Sequence, residues 1–159
     1  MKYKSNITNM FLLNSFFILS TFLLCFILSK PSFANSELVE ITVYKTPTCG
    51  CCSKWVSHLE SNGFKVTAID QNDLSSIKAH LGIAPNLQAC HTAQIGNYFV
   101  EGHVPAADIK KMLATKPNIK GIVVPGMPMG SPGMEGSRVD RYDVLAINQN
   151  ATITVFSRY

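Results

Sequence analysis

Three observations make this chain read as an α/β fold. Short β-branched runs alternate with amphipathic helix patterns along its length. A Cys-x-x-Cys pair, Cys49 and Cys52, stands where the first strand pattern gives way to the first helix pattern. Gly96-Asn97 separates two short apolar runs as a two-residue hairpin turn does.

The N-terminal stretch is set apart from that fold. Lys2 and Lys4 precede an apolar run from Met10 to Leu28, and Ser32-Phe33-Ala34 offers small residues at the two positions a signal peptidase reads. Residues 1–34 are therefore expected to be a cleaved secretory signal, although the run is long enough to act as an anchor if retained. Cys25 follows Leu24, which is too large for lipid attachment, and reads as signal core. Cleavage would leave residues 35–159 as one exported domain, with no membrane association. Without Lys2, Lys4 and Lys30 the 14 basic residues fall to 11 against 10 acidic ones. So balanced a surface, with no basic run, gives no support to nucleic-acid binding.

Leu38 to Tyr44 carries the β-branched residues of a first strand, broken by Thr46-Pro47-Thr48. The next helix presents Trp55, Val56 and Leu59 as its buried stripe and stops at Asn62-Gly63. Phe64 to Ile69 is a second strand. Asp70 to Asp73 supplies caps for a helix with Leu74, Ile77 and Leu81 at helical spacing, ending near Gly82. After a loop holding Pro85 come Cys90-His91 and the hairpin Thr92–Ile95 and Tyr98–Val100. Pro105 opens a third helix, with Ile109, Met112 and Leu113 inward, and Lys116-Pro117 ends it. This order is thioredoxin-like, with a parallel first βαβ unit. A buried strand Ile122–Val124, a Met/Gly/Pro-rich loop and a C-terminal hairpin, Tyr142–Ile147 and Thr152–Phe156, extend it.

Adjacent Cys51 and Cys52 fit poorly with structural stapling, since a tight cluster closes almost no loop. A helix N-terminus favours thiolate over thiol, and thiolates attack disulfides and bind soft metals. Two chemistries follow. Cys49 and Cys52 suit a thiol–disulfide oxidoreductase, with Cys49 as nucleophile and Cys52 as resolving thiol. A metal reading uses all three thiols, since Cys51 and Cys52 point about 100° apart on a helix and Cys49 folds back from the cap. Three convergent sulfurs suit Cu(I), whereas zinc needs a fourth ligand, from Cys90 or His91. Cys51 discriminates between them, because a dithiol exchanger does not need it.

In a thioredoxin-like fold the loop before the hairpin meets the cysteine helix, which brings Cys90 to the cluster. Cys90 and His91 are expected to point apart in extended backbone, leaving His91 a supporting role. His103 is positioned to orient the loop before Pro105, and His58 and His80 are expected to be solvated. Trp55, one turn beyond Cys51 and Cys52, is placed to shield them. Met127, Met129 and Met134 fall within eight residues without helical spacing. Gap filling and copper contact both remain open for them.

Taken together, Cys49-Gly50-Cys51-Cys52 with Trp55, Cys90-His91-Thr92, Glu101-Gly102-His103-Val104-Pro105, Val124-Pro125-Gly126-Met127-Pro128 and Ser131-Pro132-Gly133-Met134-Glu135 resemble the CopG-type periplasmic copper-resistance proteins. The resemblance covers nearly all of residues 35–159, in the same order. It implies a thioredoxin-like fold whose cysteines bind a thiolate-bridged multinuclear copper cluster, with a role in copper resistance or copper redox handling. The ligands it implies are Cys49, Cys51, Cys52 and Cys90. Copper ions and other periplasmic copper-handling proteins are the partners that go with this reading.

Overall fold

Alternation of Ile41 and Val43 gives the first strand one apolar face, and that face sits in the core of a mixed α/β unit. The structure, a computed structural model, describes residues 38–159. The expected signal, residues 1–34, lies outside the described residues. Seven strands form one sheet in the order β2-β1-β3-β4-β5-β6-β7. They are β1 (Val39–Lys45), β2 (Phe64–Asp70), β3 (His91–Ile95), β4 (Tyr98–Glu101), β5 (Ile119–Val123), β6 (Asp143–Asn148) and β7 (Ile153–Arg158). The helices are α1 (Gly50–Ser61), α2 (Ser75–His80) and α3 (Ala106–Thr115).

β1 pairs parallel with β2 through the α1 crossover, as expected, and antiparallel with β3. Gly96, at φ +54°, turns β3 into β4. β4 pairs parallel with β5 through α3, and β6 and β7 close the sheet as an antiparallel hairpin. Period-2 alternation splits the core between two faces. Trp55 and Leu59 of α1 and Ile109 and Met112 of α3 pack on Ile41, Val43, Val100 and Ile122. On the other face Ile83, Leu87, Phe99, Val123 and Ile147 form a second cluster. Among the described residues, no helix is long and apolar enough to cross a membrane.

Element boundaries differ from the sequence reading in physically simple ways. Leu74 lies just before α2, and the helix buries Lys78 more deeply than Ile77 because a carboxylate inside the fold receives its ammonium. Pro105 is the residue before α3 rather than its first turn, with extended φ −60° and ψ 138°. Lys116 then leaves the helix at φ +46°, ahead of Pro117. β5 starts at Ile119, earlier than the apolar triplet suggests, because Ile119 and Gly121 pair with β6 as well, on either side of a register irregularity at Lys120.

Candidate metal centre

The cysteine run folds as it does because Cys49 caps α1. Its backbone is extended (φ −76°, ψ 94°) and its Sγ accepts from the Cys52 N–H at 3.3 Å. The next turn brings Cys52 back over Cys49, and the two form a disulfide. Cys51 and Cys90 are free thiols. Cys51 Sγ lies 3.5 Å from Cys49 Sγ, and only the free thiol can donate there. Cys52 is fully buried, with its sulfur 3.8 Å from the Cys90 carbonyl oxygen. That contact becomes an S–H donor bond only once the disulfide is reduced.

Cys90 comes to the cluster from the start of β3, which pairs beside the end of β1 through His91 and Lys45. The four cysteine sulfurs all lie within 4.8 Å of one another. A second group shares Cys90: its Sγ, a His91 ring nitrogen and a His103 ring nitrogen also lie within 4.8 Å of one another. Cys90 Sγ is 3.5 Å from His91 Nδ1 and 3.3 Å from His103 Nε2. The expected divergence of Cys90 and His91 is therefore not what occurs. β3 begins at His91, and Cys90 sits in a bend ahead of it, so strand alternation does not govern the pair.

The histidines are held as neutral rings. His103 Nδ1 is 2.8 Å from the Pro132 carbonyl oxygen, a contact only an N–H can make, so Nε2 turns its lone pair toward Cys90. Burial lowers the pKa of both rings, and that of His91 falls to about 3, with neighbouring His103 adding to the effect. His91 packs against Trp55 with its ring tilted by 35°, centroids 4.3 Å apart, and its Nε2 is buried with no hydrogen-bond partner among the described residues. Trp55 is itself fixed by its indole N–H, which donates to the Val104 carbonyl at 2.8 Å. Burial pushes the Cys90 thiol up to about 12, with nearby Cys51 adding to the shift, so this sulfur keeps its proton until something displaces it.

The loop after β5 closes over this site. Gly133 is the contact point: its φ is +87°, and a Cβ there would meet the Cys51 carbonyl oxygen at 2.7 Å and the Trp55 nitrogen at 3.0 Å. The segment Pro132–Met134 thus rests on the first turn of α1. Its three methionines part company. Met127 is 52% exposed, the Met129 methyl packs toward Gly136 within the loop, and half-buried Met134 follows Gly133 in sequence.

Two features escaped the sequence reading. His58, expected in solvent, is half-buried, and its Nε2 accepts the Ala106 N–H at 3.1 Å, capping α3 from α1. Lys78 and Glu101 form a buried ion pair of 2.6 Å beside Thr92. Neither residue type in isolation signals such a place. His80 is exposed, as expected.

The donor set suits a thiophilic ion once the disulfide is reduced. Four sulfurs then converge with two neutral imidazoles, and no carboxylate competes among them. As the structure stands, two sulfurs are tied up in the disulfide, leaving two thiols and two imidazoles.

A family described as "Protein of unknown function, DUF411" matches residues 87–134, the stretch bearing Cys90, His91, His103 and the three loop methionines. No curated protein matches the chain. Two solved structures, a "Copper resistance protein copG" in form 1 and form 2, are each 47% identical to it. Both cover 77% of this chain, and the matches span 98% and 99% of theirs with TM-scores of 0.73 and 0.74. On that identity and coverage, the chain belongs to the CopG-type copper-resistance family.

Proposed function

We propose that the chain is an exported, periplasmic copper-binding protein, with residues 35–159 as its mature domain, contributing to copper resistance or copper redox handling. Cys49, Cys51, Cys52 and Cys90 hold its cargo, Cu(I). The observation that carries this reading is the convergence of four sulfurs within 4.8 Å, one of them from a distant loop. Family membership supports the choice of copper. On this reading β1 to α3 is a thioredoxin-like core, and β5 to β7 with the methionine loop are additions to it.

Cu(I) prefers soft thiolates, and four sulfurs cannot give several ions separate shells, so the thiolates bridge. Reduction of Cys49–Cys52 takes up two electrons and two protons and turns a two-thiol site into a four-thiol one. Copper loading therefore follows reduction. Each thiol then exchanges its proton for the metal and releases it to solvent, most reluctantly Cys90, so binding weakens as pH falls. His103, its Nδ1–H held by Pro132, offers Nε2 as a nitrogen donor, and His91 offers Nδ1. Among the methionines, Met134 fits a thioether contact best, because its segment rests on the cysteine helix.

The disulfide across Cys49 and Cys52 is also what a thiol–disulfide exchanger requires. Such an exchanger has no use for Cys51 3.5 Å from its bond, where a third thiol invites misdirected exchange. Anaerobic Cu(I) titration of the reduced protein separates the two. The copper reading expects more than one ion per chain and a lower count in Cys51→Ser. One ion or fewer, unaffected by Cys51→Ser, rejects it. Rapid insulin-disulfide reduction by the metal-free protein, lost in Cys49→Ser, would favour the exchanger.

A further inference from the structure

Beneath the Cys90 loop lies a charge pair that copper binding does not explain. Lys78 is 6% exposed and Glu101 0%. The Glu101 carboxylate accepts from Lys78 Nζ at 2.6 Å, from the Ala89 N–H at 2.5 Å and from Thr92 Oγ1 at 2.6 Å. Lys78 Nζ also donates to Thr92 Oγ1 at 2.7 Å. Burying two charges is seldom a gain in stability over two apolar side chains of similar volume. The pair is better understood by what it grips.

Ala89 and Thr92 flank Cys90-His91, so one carboxylate holds the chain on both sides of that dipeptide. The loop before it is anchored by buried Leu87, but its own backbone bonds are local turns: Leu87 N–H to Ala84 and Gln88 N–H to Pro85. Among the described residues, Glu101 is the acceptor for the Ala89 N–H. The backbone of the same strand end completes the clamp, with the Gly102 N–H on the His91 carbonyl at 3.2 Å and His103 following directly.

We infer that Glu101, neutralised by Lys78, is the positioning residue that holds Cys90 and His91 against the cysteine helix. The charge matters because charge-assisted bonds are shorter and stronger than neutral ones. Lys78 matters because an unpaired buried carboxylate is costly. The role gains its purpose from the copper reading, but its test uses no copper.

With Cys49–Cys52 oxidised, Cys51 and Cys90 are the remaining thiols among the described residues. Dibromobimane becomes fluorescent on bridging two neighbouring thiols, so its rate reports their proximity. The double variant Lys78→Met/Glu101→Ala removes the clamp without leaving a buried charge. Its bridging rate is expected to drop about tenfold or more, as lost alignment predicts, with the circular dichroism unchanged. Lys78→Met/Glu101→Gln keeps an acceptor for Ala89 and is expected to recover most of the rate. Thr92→Val, an isosteric change that removes one flanking bond, should slow bridging in a protein that folds whatever the double variant does. A wild-type rate in folded Lys78→Met/Glu101→Ala or in Thr92→Val overturns the inference, as does failure of the Gln variant to recover. Failure of wild-type protein to bind Cu(I) would reject the copper reading and leave this result standing.

Discussion

Replacing Gly133 by alanine tests whether the methionine loop truly rests on the cysteine helix. The residue sits at φ +87°, where an L side chain costs about 1–2 kcal/mol. The added Cβ would lie 2.7 Å from the Cys51 carbonyl oxygen and 3.0 Å from the Trp55 nitrogen. Both are backbone atoms of α1, so the loop must lift instead. Lifting parts the Pro132 carbonyl from His103 Nδ1, a loss of about 1 kcal/mol. Urea unfolding of the metal-free oxidised protein, followed by Trp55 fluorescence, should show a total loss of about 2–3 kcal/mol, or a midpoint roughly 1–2 M lower. Gly136→Ala is the control, since its Cβ would meet only the flexible Met129 methyl, and it should stay within about 0.5 kcal/mol. Equal, small effects at the two positions would refute the packing of this loop on α1.

Acid should destabilise the fold through His91. Burial keeps its ring neutral down to about pH 3, whereas the unfolded chain protonates near 6.5, so stability is full above that pH and falls as pH drops through the window between the two. The loss reaches about 2 kcal/mol by pH 5, and His91→Phe, which keeps a ring against Trp55, should remove it in urea titrations at pH 7 and 5. An unchanged pH dependence would rule this out. Asp108 of α3 accepts hydroxyls from Ser157 at 2.5 Å and Tyr159 at 2.7 Å, tying β7 and the last residue to the helix. Asp108→Ala should cost about 1–3 kcal/mol and lower the Tyr159 pKa, which burial first and then this carboxylate now raise, as read by phenolate absorbance. An unmoved Tyr159 titration would argue against the tie.

Apolar spacing made most of this fold legible. The β-branched run before Thr46, the Trp55 and Leu59 stripe and the Gly96-Asn97 turn each encode local geometry that tertiary context did not override. The four cysteines were readable too, because three are neighbours and the fourth follows from the loop's place against α1. Polar burial was not readable. Lys78 looks like a solvated helix residue until Glu101 receives it, and His58 until Ala106 presents an N–H. The convergence of Cys90 with His91 escaped for a related reason, since a bend one residue before a strand has no signature in residue type.

The decisive measurement is Cu(I) bound at saturation by the reduced protein, with free thiols counted by alkylation in the same sample. A thiolate-bridged site gives more than one Cu(I) per chain, with Cys49, Cys51, Cys52 and Cys90 all protected. A single ion or none, with Cys51 still open to alkylation, would rule such a site out.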